Sequence, residues 1–191
     1  MMFEISVRAW SFSGVIRLCR ERERRMSWKE IAKRKQEDRE RVDAGRSRAE
    51  ESRAKLREQL PDFFDSVIAG VSAEVESYNS ALPLKSDGIA ISRDDTTARF
   101  EKTSTPAASL TIKLSGPSVT GKDIYAATLT CVTEGRNADG ELTTENGHFE
   151  IWMRDLGLRI MKRGRDLAYV DVHGVKELVD AIITPLVYFV T

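Results

Sequence analysis

Between Arg20 and Glu58 the chain carries 15 Lys/Arg against 10 Asp/Glu and few apolar residues, so this stretch cannot build a hydrophobic core of its own. Everything that folds around a core must therefore come from the residues after Leu60. The formal charge of zero hides this division: the stretch is net +5, and the rest, with 15 Lys/Arg against 20 Asp/Glu, is net −5. The 191 residues suffice for one domain and an appendage. Three segments are expected: an extension over 1–25, a charged helical arm over 26–59 and an α+β domain over 60–191.

Residues 1–25 match neither the periodicity nor the composition of the remaining chain, and Met26 opens a stretch that suits a natural start. Glu4, Arg8 and Arg17 interrupt the apolar run that a signal peptide needs. A membrane-surface anchor is the competing reading, with Phe3, Val7, Trp10, Ile16 and Leu18 opposite Arg8, Arg17 and Arg20, but these positions keep helical register poorly. The apolar run Leu178 to Val190 is too short to span a bilayer and contains Asp180 and Pro185. With Cys19 and Cys131 unpaired in spacing, a reducing cytoplasm is the expected location.

From Trp28 to Glu58 good helix formers dominate, and opposite charges recur at helical neighbours such as Glu37 and Arg41. This predicts a solvated helix. Its apolar positions Trp28, Ile31, Val42, Ala49 and Leu56 are sparse, and Gly45 weakens the middle, so a stable coiled coil is not expected without a partner. Clusters at Arg20, Arg22, Arg24 and Arg25 and at Lys33, Arg34 and Lys35 suit nucleic-acid phosphates, whereas the interspersed carboxylates oppose them.

A stronger apolar stripe, Leu60, Phe64, Val67, Ile68, Val71, Val75, Tyr78 and Leu82, opens at Pro61-Asp62 in steps of three and four and predicts a core helix that stops before Pro83. Strands are predicted over Ile89 to Ser92, Thr97 to Thr103, Ser109 to Ser115, Ile124 to Thr133, Glu141 to Arg154, Leu158 to Arg163 and Leu167 to Val172. Turn residues separate them, including Asp94-Asp95, Gly116-Pro117 and Asp139-Gly140. Connections this short favour an antiparallel meander of six or seven strands. A C-terminal helix with Leu178, Val179, Ile182 and Leu186 in helical spacing, its last turn limited by Pro185, completes an α+β fold with the helices on one sheet face.

Alternation places Phe100, Leu110, Ile112, Leu114, Tyr125, Ala127, Leu129, Cys131, Phe149, Ile151 and Met153 toward the helices. The other face then carries Arg99, Lys113, Thr128, His148, Glu150 and Trp152, with Arg159 and Arg163. An aromatic among cations suits an acidic protein segment, a planar anion or a base. Alternatively, Trp152 lies under the arm or a loop, or Trp152 and Met161 form a second small core.

No motif assigns a chemistry. Gly116 to Lys122 has P-loop spacing up to its lysine, but Asp123 stands where a magnesium-ligating hydroxyl belongs, and strand rather than helix comes next. Cys131 and His148 fall on opposite faces, which separates a thiol from its base. His148 with Glu145 and Glu150 makes a weak ligand set, and His173 before Gly174 suits a helix cap. Neither a cofactor nor a metal is expected. The leading expectation is an interaction module that binds a protein partner, or itself, through Trp28, Ile31 and Leu56 on the arm, through Arg99, Lys113, Trp152 and Arg159 on the sheet face, or through both. A helix-grip ligand carrier or enzyme is the alternative, and nucleic-acid binding through the arm is the next.

Overall fold

The computed structural model describes residues 27–84, 87–119, 125–136, 140–154, 157–164 and 168–190. The element order is α1 (Trp28–Ala81), β1 (Ala90–Arg93), β2 (Thr97–Lys102), β3 (Ala108–Val119), β4 (Tyr125–Arg136), β5 (Leu142–Arg154), β6 (Gly157–Arg163), β7 (Tyr169–Val172) and α2 (Gly174–Val190). The strands form one seven-stranded sheet in sequence order, every neighbour antiparallel. This is the expected α+β meander. The chain falls into two units divided between Ser47 and Arg48.

Helix α1 begins at a reciprocal cap. The Ser27 N–H donates to Glu30 Oε2 at 2.8 Å, and the Glu30 N–H donates to Ser27 Oγ at 3.3 Å, so two donors at the helix start are satisfied at once. These bonds, more than Arg34, hold the Glu30 carboxyl below the usual carboxylate range. From Trp28 to Ser47 every side chain but Ile31 is exposed.

In the second unit α1 buries Leu56, Leu60, Phe63, Phe64, Val67, Ile68, Val71 and Val75, one stripe at helical spacing. The stripe joins a single core with the inner sheet face and α2. Each such side chain contributes about 1.5–3 kcal/mol gross when buried. Pro61, expected to open a helix, lies inside α1 instead. Its missing N–H removes one hydrogen bond. Leu60, Phe63 and Phe64 beside it are buried, and that packing offsets the loss.

Register rows carry the core across the sheet. Leu114, Leu129, Phe149 and Lys162 align in one row, and Ala127, Ile151, Ile160 and Val172 in another. Gly116-Pro117, expected as a turn, continues β3 through a register shift between Ser115 and Ser118. A bulge is where a strand tolerates a proline without losing a ladder bond. The Gly121-Lys122 half of the P-loop spacing and the basic clusters before Met26 lie outside the described residues, as do the signal-peptide and anchor readings of 1–25.

Helix α2 runs past Pro185 to Val190 rather than ending there. Leu186 and Phe189, both buried, hold the final turns down. At its start Gly174 takes φ 91°, a left-handed conformation that glycine adopts without a Cβ clash. The His173 N–H donates to Glu177 Oε2 at 2.7 Å, so Glu177 does the capping and His173 contributes only its backbone.

Candidate functional site

The outward sheet face brings Trp152, Arg159, Glu150 and Met161 together through the β5–β6 register, in which Trp152 opposes Arg159 and Glu150 opposes Met161. Glu150 is only 8% exposed and is satisfied on both oxygens. Tyr169 Oη donates to its Oε1 at 2.6 Å, and Trp152 Nε1 donates to its Oε2 at 3.1 Å. The bond to Glu150 raises the Tyr169 hydroxyl above its ordinary pKa. Arg159 grips Asp171 with two parallel bonds, Nε to Oδ1 at 2.7 Å and Nη2 to Oδ2 at 2.5 Å. This pairing is the first cause of the lowered Asp171 and raised Arg159 pKa values.

Tyr169 and Asp171 are both in the four-residue edge strand β7. Glu150 reaches it across β6, and Arg159 reaches it from β6 itself. A strand so short adds little apolar burial, and Val170 is 61% exposed, so these polar contacts fasten the edge. The Trp152 and Arg159 side chains are thereby committed to internal partners. Tyr169→Phe deletes one donor and leaves one oxygen of a buried carboxylate unmatched. It is expected to destabilise by about 1 kcal/mol, water filling part of the vacancy, and to speed amide exchange in β7 ahead of β4.

The remaining sheet candidates are separate. Arg99 Nη2 donates to Glu101 Oε1 at 3.3 Å along the same strand. Lys113 is exposed and opposes Thr130, which in turn opposes His148. Cys131 opposes Gly147 while Thr130 opposes His148, so thiol and imidazole lie on opposite faces as alternation requires. Burial pushes the Cys131 thiol up to about 12, far from a nucleophile's range. No group of three or more His, Cys, Asp or Glu gathers at metal-binding distance among the described residues.

Two of the grooves on the second unit adjoin α1. One of about 320 Å³ runs between α1 and α2 and is lined by Val75, Tyr78, Ile89, Ile183, Leu186 and Val187. The other, about 740 Å³, lies between Leu60-Pro61 of α1 and Gly116-Pro117 of β3, with Arg57 and Arg93 balanced by Asp65 and Asp95. Arg93 also pairs with Asp65 directly. The centre of the inner face is filled: Phe100, Leu110, Ile112, Leu129 and Ile151 are completely buried.

No family model, curated protein or solved structure matches the chain.

The arm holds the other candidates. Trp28 is 87% exposed and Ile31 is partly exposed, one turn apart near the start of α1. Leu56, expected as a third anchor, is fully buried in the core of the second unit. Seven-residue spacing links it to Ala49 and Val42, but the core of the second unit claims it. Sequence reasoning passed over Tyr169, Asp171 and the Ser27–Glu30 cap. Only the last had a local signal, the Ser-x-x-Glu spacing.

Proposed function

We propose that the protein is an interaction module whose folded body carries a helical docking arm, and that the arm binds a protein through Trp28 and Ile31. The observation that carries this reading is the exposure of Trp28, at 87%, and of Val42, at 54%, on a stretch of helix that buries almost nothing. Helices of this length gain most of their stability from packing an apolar face. Exposed apolar side chains on such a helix are matched to a partner groove or helix. The outward sheet face is the weaker candidate because Trp152, Arg159 and Arg99 already have partners. Membrane-spanning roles draw no support from the helices, since no described helix is long and apolar enough to cross a bilayer.

A protein partner also suits the charge pattern better than nucleic acid does. Lys33 pairs with Glu37 at 3.8 Å, and Glu40 accepts from Gln36 at 3.1 Å, so carboxylates intervene along the arm and repel phosphates. The test is recovery from nuclease-treated lysate with the full chain and its Trp28→Ala/Ile31→Ala form. The double substitution is expected to reduce specific protein recovery at least tenfold with an unchanged melting temperature of the body. Equal recovery by both forms overturns the assignment.

A further inference from the structure

We infer that the arm's partner is the arm of a second copy of this chain, paired antiparallel about the midpoint between Gln36 and Glu37. The inference rests on the docking role of the arm and names its partner. At 3.6 residues per turn, Trp28, Ile31, Lys35, Asp38, Val42 and Gly45 fall within an arc of roughly 100° on one side of α1. They alternate in steps of three and four, the spacing of a two-helix seam. The sequence Trp, Ile, Lys, Asp, Val, Gly is complementary to its own reverse. Antiparallel pairing sets Trp28 against the second copy's Gly45, the largest side chain against none. Ile31 then meets the second copy's Val42, and Lys35 meets the second copy's Asp38. Each contact occurs twice, as two-fold symmetry requires.

Three observations favour this occupant over an unrelated protein. Lys35 and Asp38 are exposed, and neither takes part in an ion pair among the described residues. The two halves of the arm also differ in charge: Lys29, Lys33, Arg34 and Lys35 outweigh Glu30 in the first, and Glu37, Asp38, Glu40 and Asp43 outweigh Arg39 and Arg41 in the second. Reversal of the second helix lays one half over the other, whereas parallel pairing would stack like on like. Among the described residues nothing fills the space at Gly45, where a Cβ would meet no atom within 4 Å, so the position is open to a large side chain. One flank works against the pairing, because Arg34 faces the second copy's Arg41, and this limits the affinity. The association is accordingly weak and reversible.

Sedimentation equilibrium on the pure full chain over a wide concentration range decides the matter. The wild type is expected to move from monomer toward dimer with concentration. Lys35→Asp sets a carboxylate against the second copy's Asp38, twice, and Asp38→Lys makes the matching clash of ammonium groups. Each is expected to weaken dimerisation about tenfold. The double variant Lys35→Asp/Asp38→Lys rebuilds the pair with signs exchanged and is expected to restore the wild-type constant. Arg34→Glu creates an attraction to Arg41 and is expected to strengthen the dimer several-fold. Far-UV circular dichroism at low concentration confirms that each variant keeps its helix.

A chain that stays monomeric at every concentration overturns the pairing, and so does a double variant that fails to recover. Arg34→Glu weakening the dimer overturns the antiparallel register. The docking reading fails separately. A monomeric chain that still loses a lysate partner on Trp28→Ala/Ile31→Ala keeps the docking arm and rejects only self-pairing.

Discussion

Phe149→Ala is expected to lower the unfolding free energy by about 3–5 kcal/mol, the usual cost of deleting a fully buried aromatic ring. Phe149 is 1% exposed on β5, the strand between β4 and β6. Its register partners are Leu129 and Lys162, and the Lys162 ammonium lies 5.9 Å from the ring centroid. Gly147, two residues earlier, cannot fill the vacancy, and neighbouring aliphatic side chains are held by their own packing. The cavity therefore stays open, and cavity cost adds to lost transfer energy. Urea denaturation read from the strand signal measures the change, and a loss below about 1 kcal/mol would contradict the placement of this ring at the core's centre.

Gly135→Val is expected to be comparably damaging, for the opposite reason. A Cβ added at 135 would stand 2.8 Å from Phe189 Cβ and Cδ1, nearer than carbon atoms approach in real side chains. Phe189, 4% exposed, belongs to the last turn of α2 and has little freedom to withdraw. Overpacking of this kind commonly costs about 1–3 kcal/mol and occasionally more. Here it would lift the helix end from β4, so the loss sits at the upper end of that range. Combining Gly135→Val with Phe189→Ala relieves the overlap. The pair should lose less than the two single changes added together, and strict additivity would argue against the contact.

Most of the body was legible because two periods dominate it. Steps of three and four from Leu60 to Val75 and strict alternation through Leu110, Ile112 and Leu114 each admit one burial pattern, and the structure buries those residues. The proline positions were harder. Pro61, Pro117 and Pro185 read locally as boundaries, yet each lies within an element, because tertiary packing at Phe64, the β3 bulge and Phe189 outweighs one missing N–H. The fate of the sheet-face residues was also beyond reach. Trp152 and Arg159 look like free recognition groups until the register brings Glu150, Tyr169 and Asp171 beside them. The Tyr169–Glu150 and Arg159–Asp171 pairs are 19 and 12 residues apart and leave no spacing signal, whereas Glu150 and Trp152, two apart on one strand, share a face that alternation does show. Leu56 illustrates the same limit on the arm: it shares its heptad position with exposed Val42 but lies within reach of the core.

Hydrogen exchange of the full chain, followed by mass spectrometry at low and high protein concentration, separates a self-docking arm from a merely solvated one. Amides over 28–45 are expected to exchange rapidly in dilute solution and to slow as concentration rises, with exchange in the sheet and in α2 unchanged. Exchange over 28–45 that is independent of concentration, or slowing that appears in the sheet instead, would contradict an arm that docks onto its own copy.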